Sequence, residues 1–262
     1  MKKYSLALGG WAARWISYIG VLQYMKENNL EIEEISGTSI WAIIAGLYAS
    51  WKSPKQMWKI VWEINYLKLI DISMKQWVFK WDKIYKKLHS IFWDVMIEDL
   101  GVPIKIVATC VEDGEKKIFS SWKLIDAIRA SISLPWVFKP HVIGEKSYID
   151  WGIVNNLPIE VLAWHNIIAV TALKKGNEEL KMKRKVLGID FNVWFISHNF
   201  QILQRTVILM MKQNEERSIE TKDKNITLIQ PEYGDLEFYS FNKVDELVTI
   251  GYQAMGKKFS SK

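Results

Sequence analysis

"EISGTSIWAIIAGLY", residues 34–48, reads as a short β-branched strand, a tight turn carrying Ser39 and then an apolar helix. This is the layout of a nucleophile elbow, G-x-S-x-G, in which a serine stands on a sharp strand-to-helix turn with its hydroxyl presented. Gly37, Thr38, Ser39 and Ile40 are followed by Trp41, at the place of the second glycine. Glycine belongs there because the turn is strained and neighbouring backbone comes close. The bulkiest side chain therefore occupies the position that calls for the smallest.

Outward from the elbow, helical and strand periods alternate. "YSLAL" (4–8) reads as a first strand running into the glycine pair Gly9-Gly10, and Ile16, Ile19, Leu22 and Met25 mark one apolar face of a helix ending at "ENN". "IEEIS" is a second strand. "PIKIVATCV", "KKIFS", "NIIAVTAL" and "NITLIQP" read as further strands, "KLIDAIRASI" as a helix, and two longer helices are predicted near 198–218 and 241–258. Strands alternating with helices predict an α/β fold with a largely parallel sheet covered on both faces. With no Gly/Pro/Ser-rich linker and no internal repeat, residues 1–262 are expected to form a single domain.

Composition narrows the function classes. A single cysteine, Cys110, excludes an internal disulfide and a cysteine-based zinc cluster, and points to a reducing, cytoplasmic setting. His89, His141, His165 and His198 show no metal-ligand spacing, and "GGWAARW" lacks the G-x-G-x-x-G spacing of a dinucleotide site, so neither metal nor cofactor is expected. The apolar stretch after Lys2 and Lys3 is too short for a secretory leader, and the longest uncharged run, 35–51, is too short and too interrupted to span a bilayer. The net charge of +6 is densest in "LKKGNEELKMKRK" (173–185), read as a solvated loop with anionic lipid head groups as its alternative partner. No nucleic-acid motif accompanies it, and oligomeric state is not legible.

Catalysis by a serine hydroxyl needs a base for its proton and amides for the developing oxyanion. Gly9 and Gly10 end a strand and open a helix, where free N–H groups and the helix dipole favour negative charge. "YIDWGIVNNLP" ends a strand at Asp150 and continues into an Asn-Pro turn that can hold a carboxylate rigidly, with Asn155 and Asn156 shaping the loop. In this order, "GGWAARWISYIGVL" (9–22), "GTSIW" (37–41) and "DWGIVNNLP" (150–158) resemble the three motifs of the patatin-like phospholipases, specifically the short bacterial members. "IVATCVEDGEKKIFSSWKLIDAIRASISLPWVFKP" (106–140) and "FNKVDELVTIGYQAM" (241–255) extend the resemblance over nearly the whole chain.

The resemblance implies a three-layer α/β/α patatin-like fold and hydrolysis of lipid acyl esters through an acyl-serine intermediate, without metal. It assigns Ser39 as nucleophile and Asp150 as its base. The oxyanion loop is Gly9, Gly10, Trp11 and Ala12, with Arg14 shaping it, while Gly37, Trp41, Trp151 and Gly152 hold the remaining motif positions. The implied partner is a lipid or phospholipid, with peripheral contact at an anionic membrane. An α/β-hydrolase triad using Ser39, Asp150 and either His165 or His198 is the rival enzyme reading, although several strands precede the elbow in that fold and only one does here.

The departures from the motifs share one form. Trp11, Trp15, Trp41, Trp136 and Trp151 stand at motif glycines, and Trp51, Trp77, Trp81, Trp93, Trp122 and Trp164 where a glycine would be unsurprising. Fourteen tryptophans accompany fourteen glycines among 262 residues, a glycine share below the usual value of about 7%. One cause explains both: these eleven codons are expected to be UGA, read as glycine in the source organism. Trp58, Trp62 and Trp194 are left outside that assignment. If the tryptophans are genuine, overpacking at about 1–3 kcal/mol per site obstructs elbow and oxyanion loop, and the chain becomes a catalytically silent lipid-binding or scaffold protein.

Overall fold

The computed structural model describes all residues except 1, 10–11, 64–70, 74–77, 81, 136–137, 174–184, 187–188, 191–193, 221–222, 237–239 and 261–262. In chain order the strands are β1 (Lys2–Gly9), β2 (Leu30–Thr38), β3 (Asp71–Ser73), β4 (Val78–Lys80), β5 (Ile104–Cys110), β6 (Lys116–Phe119), β7 (His141–Ile143), β8 (Lys146–Asp150), β9 (Asn166–Thr171), β10 (Lys185–Val186), β11 (Ile189–Asp190) and β12 (Asn225–Ile229). The α-helices are α1 (Ser17–Glu27), α2 (Trp41–Ala49), α3 (Pro54–Glu63), α4 (Asp82–Phe92), α5 (Leu124–Ser131), α6 (Trp194–Ile219) and α7 (Val244–Phe259).

The central sheet runs β12-β9-β1-β2-β5-β8-β7, with β6 also pairing β5. From β12 to β5 all pairings are parallel, whereas β6, β7 and β8 are antiparallel additions. The expected mostly parallel α/β architecture is present, with an antiparallel margin that hydrophobic periodicity does not reveal. β3 with β4, and β10 with β11, form two separate hairpins.

Both faces of the sheet are apolar. Leu6 and Leu8 of β1, Ile168 and Val170 of β9, and Ile104 and Ile106 of β5 join the main core with residues of α1, α2, α5 and α7. The alternate residues Ala7, Ile167 and Ala169 face a second cluster with Leu157, Ile159 and Leu162, against which Ile219 of α6 packs. Alternate side chains thus enter opposite layers, giving the α/β/α sandwich. α1 and α7 approach closely: a Cβ on Gly20 would lie 1.9 Å from the Val248 carbonyl oxygen, and one on Gly251 would lie 1.8 Å from that of Ser17.

The chain passes from β1 to β2 and β5 on one side, then returns to β9 and β12 on the other side of β1. The order reverses between β1 and β9, and in open α/β sheets ligands bind outside the carboxyl ends of the strands at such a reversal. Among the described residues no helix is long and apolar enough to cross a membrane.

Candidate active site

Strand register brings the predicted residues together. Thr38 pairs with Val107 and Ala108 pairs with Asp150, so Ser39, one residue beyond Thr38, and Asp150 flank β5 at one level. On the other side of β2, Leu8 pairs with Gly37, so β1 and β2 end side by side, with Gly9 at the close of one and Thr38 at the close of the other. The turn residues Gly10 and Trp11 lie outside the described residues; Ala12 opens a 3-10 helix, Ala12–Ile16, that leads into α1.

Ser39 sits at φ 60°, a left-handed conformation that non-glycine residues adopt only under constraint. Its backbone N–H donates to Ser131 Oγ at 2.8 Å, and that hydroxyl donates to the Val107 carbonyl at 2.6 Å, so α5 and β5 hold the turn from below. Ser131 is a supporting residue that the sequence reading missed, and no local signal marks it. Gly37 allows α2 to approach: a Cβ there would lie 3.2 Å from backbone atoms of Trp41 and Ala42.

Trp41 is the first residue of α2. It is fully buried and its ring stacks on Tyr18 at 4.5 Å and 28°, pointing into the main core. Trp15 is likewise core, and Trp151 packs with Val107 and Val161. Trp136, Trp77 and Trp81 lie outside the described residues.

Asp150 ends β8, 2% exposed. Its N–H donates to the Ser133 carbonyl at 3.0 Å, and its carboxylate accepts from the Gly152 N–H at 2.7 Å and from the Ser39 hydroxyl. Burial pushes this carboxyl up to about 7, with the two hydrogen bonds pulling in the opposite direction. A carboxylate with that value, joined to a serine on a strained turn, can accept the serine proton near neutral pH.

Arg14 is buried and spans the strand reversal. Its Nη1 donates to the Ala172 carbonyl at 3.1 Å, Nη2 to that of Leu236 at 3.4 Å, and its guanidinium lies 4.6 Å from the Tyr233 ring centroid. These contacts tie the 3-10 helix before α1 to the residue that follows β9.

His165 does not complete a triad here. His165 is exposed just before β9, where Nδ1 meets the Asp223 carbonyl at 3.2 Å. That is the amino end of a strand whose carboxyl end adjoins Gly9, about 20 Å away at 3.3 Å per residue. His198 lies within α6. Most of the lysine-rich run falls at 174–184, outside the described residues.

Residues 6–163 match the patatin family, described as patatin-like phospholipase. The chain belongs to the patatin-like phospholipase family. An uncharacterized NTE family protein of Mycobacterium tuberculosis is 32% identical over 178 residues, covering 67% of this chain and 49% of that protein. Patatin-like phospholipase domain-containing protein 6 of Mus musculus is 28% identical over 276 residues, covering 95% of this chain and 20% of that protein. The chain thus spans about half the length of the mycobacterial relative and a fifth of the mouse one. VipD from Legionella pneumophila shares the patatin-like fold with a TM-score of 0.55 at 15% identity, covering 99% of this chain and 67% of that one.

Proposed function

We propose that this patatin-like chain is a serine lipid acyl hydrolase working through Ser39 and Asp150. The observation that carries the reading is the Ser39 hydroxyl held at a positive-φ turn and hydrogen-bonded to a buried carboxylate. Ser39 Oγ attacks the ester carbonyl as Asp150 takes its proton, and amides of the Gly9–Ala12 loop receive the oxyanion. Collapse expels the alcohol, which leaves with the proton from Asp150. Asp150 then deprotonates water, which attacks the acyl-serine, releases the fatty acid and restores the hydroxyl. Turnover of a short-chain nitrophenyl ester, lost in Ser39→Ala and Asp150→Asn, tests the reading; wild-type rates in either folded variant overturn it.

The substrate class and the net charge of +6 extend the reading to peripheral contact with anionic membranes. Cosedimentation with phosphatidylglycerol vesicles but not with phosphatidylcholine vesicles is the expected outcome.

The same reading takes the eleven tryptophans as UGA codons decoded as glycine in the cell. Support comes from two backbone angles: Trp51 lies at φ 60° and Trp122 at φ 119°, the region that favours glycine. Trp51 is also 76% exposed, a costly place for an indole. Trp58, by contrast, donates its Nε1–H to Asp245 at 2.8 Å, a contact only the indole makes. TGA codons at positions 51 and 122 with TGG at 58 are expected in the coding DNA; TGG at all three overturns the recoding.

A further inference from the structure

A second buried carboxylate stands beside the site, and nothing in the chemistry above uses it. Glu215 of α6 is 4% exposed. One of its oxygens accepts from Asn156 Nδ2 at 2.6 Å and the other from the Thr171 hydroxyl, which itself accepts the Leu173 N–H at 3.1 Å. Asn156 lies six residues after Asp150 in the same loop. Thr171 is the register partner of Gly9, at the carboxyl end of β1. Gly9 also touches Asn156 directly, since a Cβ there would lie 2.5 Å from the Asn156 carbonyl oxygen.

These contacts close a triangle. Gly9 meets Thr171 through the sheet and Asn156 through the backbone, and Glu215 ties Asn156 to Thr171. One turn earlier on α6, Met211 covers the same loop: its Cε would be 3.2 Å from a Cβ on Gly152. We infer that Glu215 is a positioning residue, a clamp that sets the Asp150 loop against the strand that feeds the oxyanion loop. The inference rests on the Ser39–Asp150 reading.

A buried carboxylate is an expensive way to hold a helix down, and apolar groups of the same volume usually do so at lower cost. Burial pushes Glu215 up to about 7, and the ionisable groups that act with it are Glu216 on its own helix and Tyr18 and Tyr233 on the elements it faces. What an apolar side chain could not do is accept two hydrogen bonds, one from the Asp150 loop and one from the end of β9. Such outer-shell ties keep reacting groups in register, where a displacement of about 1 Å can lower turnover about 100-fold.

The test compares wild type, Glu215→Gln, Glu215→Ala, Thr171→Val and Ser39→Ala on a nitrophenyl ester, reading kcat, KM and the pH midpoint of kcat alongside thermal stability. Glutamine keeps an acceptor for Asn156 and a polar group toward Thr171, so its kcat and midpoint stay near wild type. Glu215→Ala and Thr171→Val cut the clamp: kcat falls about 10- to 100-fold with KM little changed, and the midpoint drops below the wild-type value as water reaches Asp150. If Glu215→Ala does not fold, Thr171→Val carries the test alone. Wild-type kcat and midpoint in the cut variants overturn the clamp, as does a Glu215→Gln loss equal to that of Glu215→Ala. Undiminished turnover in Ser39→Ala overturns instead the dyad on which it rests.

Discussion

Asp150 is held by a backbone amide, by the Ser39 hydroxyl and by nearly complete burial, and burial is the largest of the three influences on its proton. Two consequences follow for the single residue. In the proposed dyad its carboxylate must be ionised to accept the Ser39 proton, so kcat is expected to rise with pH to a plateau, with a midpoint near 7. A pH–rate profile checks this, and a profile flat from pH 5 to 9 contradicts it. The second concerns stability. The folded carboxyl holds its proton up to about 7 while the unfolded one releases it near the ordinary 3.8, so between these values the native state binds more protons. Stability from this group is therefore lost as pH rises through that window. Asp150→Asn removes the loss: its melting temperature matches wild type near pH 4 and exceeds it at pH 8, in a protein with no ester turnover.

Among the elements, the turns that lead into helices carry the constraint. Ser39 bears its positive φ with Ser131 beneath it, but Trp51 and Trp122 bear theirs at exposed sites where an indole is free to be replaced. Trp51→Gly and Trp122→Gly are each expected to stabilise the protein by about 1 kcal/mol, read by denaturant unfolding, because glycine adopts these angles without strain. The α1–α7 crossing gives the opposite case. Gly251→Ala forces a methyl group onto the Ser17 carbonyl and should destabilise by about 3 kcal/mol or more. Legibility in the sequence follows the same division. β1, β2, β5, β9 and β12 were readable because apolar runs or alternation mark them, and α1, α5 and α7 by their helical period. The direction of β6 and β8 was not, since periodicity is the same for parallel and antiparallel strands. Nor could Trp41 be read as core, because a motif position says where the backbone turns and not where the next side chain points.

At the scale of the whole molecule, the sheet order places three distant segments side by side. Ser39 and Asp150 are 111 residues apart and meet only because β5 enters between their strands. No local pattern predicts that meeting; motif order and family resemblance pointed to it. Glu215 and Thr171 escaped even this, and Asn156 was legible only as a loop residue, because a glutamate in a long helix looks like any solvated one until the opposite strand is in place. The central claim, that Ser39 is a nucleophile activated by Asp150, is tested most directly by labelling with a fluorophosphonate and locating the adduct by mass spectrometry. A single adduct on Ser39 in wild type, strongly slowed in Asp150→Asn and absent from Ser39→Ala, is the expected result. Ester turnover persisting with Ser39 unlabelled, or an adduct at another residue, would contradict it.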